Sequence, residues 1–123
     1  MLSILFGCSQ NGDVVDNQLK GTKWIYRYSD EDYYVLEFIS ENDVVGYIAD
    51  DNFIMSGNPS NSKYSLIENQ VEFNSLIIKD LVIFHKFKSA MMLNNSMMSV
   101  NIIDKIGDDG EWDYEQTWIF NKQ

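Results

Sequence analysis

The sequence predicts an all-β fold, an antiparallel up-and-down β-barrel of about eight strands. Hydropathy alternates with a period near two from Gly21 onward. Turn-forming residues interrupt that alternation at spacings of roughly 8–12 residues, the rhythm of a sandwich or barrel. No stretch carries the apolar stripe of an amphipathic helix, and the nearest, Lys88 to Leu93, is too short for one. Short polar connections make sequential strands antiparallel neighbours, and closing the meander on itself removes its exposed edges.

The elements follow in order. Trp24, Tyr26 and Tyr28 share one face of the first strand, with Lys23, Ile25 and Arg27 on the other. After the polar break 29–32, Tyr34, Leu36 and Phe38 alternate with Tyr33, Val35 and Glu37. Val45 and Tyr47 anchor a short third strand beyond the turn 40–43. Asp50 to Ser62 holds Gly57, Asn58 and the lone Pro59, which predicts the longest loop of the chain. Tyr64 and Leu66, then Val71 and Phe73, flank a turn at 68–70. Leu81, Ile83, His85 and Phe87 oppose Val82, Phe84, Lys86 and Lys88, and Met98, Val100 and Ile102 follow the turn 94–96. Gly107-Asp108-Asp109-Gly110 is a hairpin turn, because Gly and Asp tolerate positive φ. In the last strand Trp112, Tyr114, Trp118 and Phe120 are set against Glu111, Asp113, Glu115 and Thr117, an apolar face against a wet one.

Composition narrows the function. With 123 residues the chain makes one domain, and 45% hydrophobic content is too rich for a disordered one. Nine Lys plus Arg against nineteen Asp plus Glu leave a net charge of −10. That charge repels phosphate backbones and anionic bilayers, so neither nucleic acid nor a bare membrane surface is expected as a partner. One Cys and one His are too few for a disulfide framework or a Cys/His zinc cluster, and neither a cofactor nor a metal is expected.

The chain opens with an apolar run ending in a small residue and then Cys8, as the end of a secretory signal does. Leu5-Phe6-Gly7-Cys8 resembles a bacterial lipobox, in which the Cys receives lipid. Three parts are therefore expected: a signal remnant at 1–8, a polar tether at 9–18 and a barrel domain at 19–123. The alternative reading of the opening is an edge strand with an ordinary buried thiol. Gly21-Thr22-Lys23-Trp24 resembles the Gly and Trp that open lipocalin-type barrels, here with two residues between them. The hairpin 63–73 and the closing Trp118-Ile119-Phe120-Asn121-Lys122 are similar to those of small bacterial lipocalin-like (calycin-type) lipoproteins. The resemblance implies a lipocalin-like barrel held at the cell envelope, extracytoplasmic, touching the membrane only through the lipid on Cys8.

Such a protein is expected to be non-enzymatic, binding a small apolar ligand or serving as an envelope interaction module. A ligand would meet Trp24, Tyr26, Leu36, Phe38, Val100, Trp112 and Trp118, unless these rings simply fill the interior of a small barrel. His85 is expected to be a hydrogen-bonded barrel histidine, since no strained Gly-x-Ser-x-Gly accompanies it. The acidic turns read as solvated, without the twelve-residue loop of a calcium site. The alternative is an acidic immunity- or inhibitor-type protein that binds a basic protein partner. Its contacts would be Asp30, Glu31, Asp32, Tyr33, Asp108, Asp109 and Glu111 on the outer surface, where charge steers encounter.

Overall fold

The computed structural model describes residues 18–108, 110–112 and 114–123. Cys8, the segment 1–8, all but the last residue of the tether, Asp109 and Asp113 lie outside the described residues. Eight strands run β1 Thr22–Arg27, β2 Asp32–Phe38, β3 Asp43–Asp50, β4 Met55–Ile67, β5 Gln70–Asp80, β6 Ile83–Met92, β7 Met97–Ile106 and β8 Tyr114–Lys122. Each pairs antiparallel with the next, and β8 returns to β1, so the sheet is a closed up-and-down barrel. The closing seam is short, with Trp24 opposite Lys122 and Ile25 opposite Asn121.

Alternation decides what faces inward. Trp24, Tyr34, Leu36, Phe38, Phe87, Ile102 and Phe120 are almost completely buried. Each large apolar side chain removed from water in this way contributes on the order of 2 kcal/mol. Opposite them Val35, Tyr47 and Ala49 form a second apolar cluster on the outside of β2 and β3, with Ile25, Tyr33 and Val45 against it. Tyr47 therefore does not point into the barrel: it lies beside Val35 on the outer face and donates its hydroxyl to Glu37.

Three sequence expectations are corrected. The segment 50–62 is mostly strand, because β4 starts at Met55 and only 51–54 turn the chain. Between Gly46 and Ile48 the β3–β4 register shifts, leaving Gly57, Asn58 and Pro59 opposite Tyr47 in a bulge. Pro is tolerated there because a bulge frees it from donating to the ladder. Leu81 and Val82 form a two-residue turn rather than the start of β6, since Asp80 pairs directly with Ile83. Leu81 adopts φ 57° and is 86% exposed. Trp112 lies outside β8, which begins at Tyr114.

The two ends of the barrel differ. At the end where β1 begins, buried Leu19 and Trp24 close the interior, and the Trp24 indole donates to Thr22 Oγ1 at 2.8 Å. Phe38 meets Tyr64 edge to face, and Tyr64 donates its hydroxyl to the Ser40 carbonyl at 2.7 Å. The opposite end, reached by the β1–β2, β3–β4, β5–β6 and β7–β8 turns, collects the buried polar groups.

Candidate functional site

At that second end Trp118 of β8 is the centre of a ring cluster. Tyr26 stacks on it with centroids 4.5 Å apart and planes 8° from parallel. Tyr34 meets it edge to face at 4.9 Å, His85 lies at 5.1 Å and Tyr28 at 6.0 Å. Tyr28 is 44% exposed, so this ring stands between solvent and the rest of the cluster. Below it Phe87 closes the floor at 6.3 Å from Trp118.

A hydrogen-bond chain threads these rings. The Trp118 indole donates to Gln116 Oε1 at 3.0 Å, and Gln116 donates its amide to Asp104 Oδ2. His85 Nδ1 lies 2.7 Å from the other Asp104 oxygen. An ionised carboxylate only accepts, so Nδ1 carries a proton toward Asp104, and in a neutral ring the lone pair then falls on Nε2. His85 is 2% exposed, and its Nε2 is the one buried side-chain polar atom without a hydrogen-bond partner among the described residues. Buried polar atoms are satisfied in the great majority of cases, so this one stands out among those of the described residues.

Tyr34 adds a second arm. It is fully buried, packs edge to face on His85 at 5.3 Å, and donates its hydroxyl to Asp80 Oδ2 at 3.1 Å. Burial, followed by the Asp80 charge and the hydrogen bond it accepts, holds the phenol well above its usual pKa near 10. The unfolded chain ionises this tyrosine near pH 10 while the folded chain keeps the proton. Stability is thus fully present below that pH and falls above it by up to about 1.4 kcal/mol per pH unit. Urea titrations at pH 10 and 11 should show a smaller loss for Tyr34→Phe than for the wild type. Equal losses would mean that Tyr34 ionises freely in the fold.

The expected ligand residues separate into three groups. Trp118 and Tyr26 stand in the cluster, whereas Trp24, Leu36, Phe38 and Val100 are packed within the filled core. Trp112 covers the outer Lys86 and Lys105 ammonium groups, at 5.6 and 4.8 Å from its ring centroid, and so does not face the cavity side. The acids of the outer-surface reading gather at the same end. Asp30 and Glu31 are exposed in the β1–β2 turn and Asp108 and Glu111 in the β7–β8 connection, while Asp32 begins β2 and Tyr33 stacks on Phe53 outside the wall. Arg27 reaches Asp30 at 3.8 Å. Among the described residues no group of three His, Cys, Asp or Glu could hold a metal ion.

Tyr28, Tyr34, Asp80, His85, Asp104 and Gln116 complete the site beyond those expected for a ligand. Asp80 and Asp104 had a readable signal: each falls where the inward alternation of its strand (Leu76, Ile78 and Val100, Ile102) calls for an apolar side chain. A separate groove of about 340 Å³ lies where β4 and β5 part, lined by Lys63, Tyr64, Ser65, Glu72, Phe73 and Asn74, away from this cluster.

Neither a protein-family model nor a curated protein matches the chain. Solved structures do. Apo shwanavidin superposes with a TM-score of 0.51 at 10% identity, covering 85% of this chain and 95% of that one. A shwanavidin variant in complex with biotin gives 0.52 at 10% identity, over 85% and 96% of the two chains. The expected antiparallel up-and-down barrel of eight strands is therefore the fold of this chain, and the solved barrels named here share that fold.

Proposed function

We propose that this protein is a non-enzymatic binder of a small ligand with an apolar body, which it takes between the rings at the Tyr28 end of the barrel. The observation that carries this reading is His85, whose Nδ1 is fixed on Asp104 while its buried Nε2 meets no protein group. No hydroxyl or thiol of the described residues uses that nitrogen, which favours recognition over nucleophilic chemistry. The interior below Trp118 is filled, so entry requires the partly exposed Tyr28 ring to swing away from Trp118 and Tyr34. Eight-stranded barrels are either filled by side chains or hold one small ligand, and a similar barrel was solved with biotin. The reading also places the barrel at the extracytoplasmic face of a bacterial membrane, tethered through lipid on Cys8. Leu5-Phe6-Gly7-Cys8 supports that placement, and incorporation of a labelled fatty acid that is lost in Cys8→Ser would test it.

Native mass spectrometry of the full chain tests the binding. It should show a stoichiometric added mass of a few hundred daltons, lost on denaturation, or acquire one from biotin, a fatty acid, a sterol or an aromatic amine. A bare mass under all these conditions overturns the reading.

A further inference from the structure

We infer that the ligand enters this site head first with a protonated amine or amidine, a cation that still carries N–H donors; the inference rests on the binding reading above. Three observations converge on it. With Nδ1 donating to Asp104, the Nε2 of a neutral His85 ring carries the lone pair and accepts. A partner for it must therefore donate an N–H or O–H.

The charges around that nitrogen select between the two. Asp104 touches His85 from β7, and Asp80 faces the same ring cluster from the end of β5 through Tyr34. By strand alternation Asp32 of β2 and Asp50 of β3, which are register partners, stand at the rim of the same end. Among the described residues no Lys or Arg shares that inward face. Lys79 and Lys105 lie over Phe84, Lys86 over Trp112 and Arg27 over Tyr33, all on the outer wall. A carboxylate or phosphate head would meet uncompensated like charge in a poorly solvated place, whereas a cation would be held.

The rings complete the fit. Tyr28, Tyr34 and Trp118 present π faces and edges around the position that a head group beside His85 would occupy, and such faces attract a desolvated cation. The net charge of −10 adds long-range attraction for cations. A quaternary ammonium would use the rings but could not satisfy Nε2, so a primary amine or amidine fits better.

The test compares four probes of nearly equal size by calorimetric titration into the full chain: 2-phenylethylamine, its trimethylammonium analogue, 2-phenylethanol and 3-phenylpropionate. The amine should bind at least about tenfold more tightly than each of the other three, a difference of about 1.4 kcal/mol. Asp80→Asn keeps an acceptor for the Tyr34 hydroxyl, so the barrel stays intact; it should weaken the amine about tenfold and the alcohol by less than about twofold. Glu72→Gln, in the separate β4–β5 groove, should change neither. Alcohol or carboxylate binding equal to or tighter than that of the amine overturns the inference while leaving a small-ligand site. Binding of none of the four, together with a bare native mass, overturns the site itself.

Discussion

Replacing Trp118 by Ala should cost about 3–5 kcal/mol of stability, the largest loss expected from any single truncation in the barrel. The indole is 4% exposed and touches Tyr26, Tyr28, Tyr34, His85, Phe87 and Gln116, from three other strands, the β1–β2 turn and its own strand. Its removal opens a cavity that none of these side chains can fill without leaving another partner, because each is fixed by a strand of the closed sheet. Truncation also strands Gln116 Oε1, which the indole N–H now satisfies. The urea midpoint should fall with an unchanged denaturant slope, since the same surface is exposed on unfolding. Trp118→Phe, which keeps most of the packing and loses the indole donor, should cost less than half as much. A loss below about 1 kcal/mol for Trp118→Ala would show that this end of the barrel is loosely packed and that the ring cluster is no preformed site.

The barrel was legible because its inward and outward positions differ in chemistry along almost every strand. Tyr34-Val35-Leu36-Glu37-Phe38 shows how: both faces are partly apolar, yet the aromatic residues fall on one and the lone acid on the other. β4 escaped because Ser56-Gly57-Asn58-Pro59-Ser60-Asn61-Ser62 has no alternation to read, and its strand geometry is imposed by pairing with β3 through a bulge. Trp112 escaped for another reason. It continues the alternation of β8 on paper, but it precedes the strand and its ring lies over two lysine side chains. Cation–π contact with a long aliphatic stem offers an indole an outer resting place that hydropathy does not register.

The ring cluster was half visible. Aromatic residues on single faces pointed to Tyr26 and Trp118, and the histidine was rightly expected to be hydrogen-bonded within the barrel. Which carboxylate holds it could not be read, because Asp104 reaches His85 only through the β6–β7 register. The inward alternation marks Asp104 and Asp80 alike, and with nineteen acids in the chain it does not say which one meets the histidine until the pairing is known.

Asp104→Ala should destabilise the fold by about 3 kcal/mol, because it leaves the buried His85 Nδ1–H without an acceptor and frees the Gln116 amide. Gln116 is only half-buried and can turn to water, so the penalty falls mainly on His85. The double variant His85→Phe/Asp104→Leu should recover most of that loss. It removes donor and acceptor together and substitutes apolar volume next to Phe87, Ile102 and Tyr34, an exchange that is commonly neutral or favourable. Chemical denaturation of His85→Phe, Asp104→Leu and the double variant closes a cycle whose coupling should be about 2 kcal/mol or more. If the double variant is as stable as the wild type, the pair is not there to hold the barrel. Its presence then has to be explained by what it does to Nε2: the carboxylate fixes the tautomer and turns the lone pair inward, which is of use only to a bound molecule. If the double variant instead remains as unstable as Asp104→Ala, the polar chain from Trp118 through Gln116 to His85 is a packing device, and the case for a recognition site at this end of the barrel loses its main support.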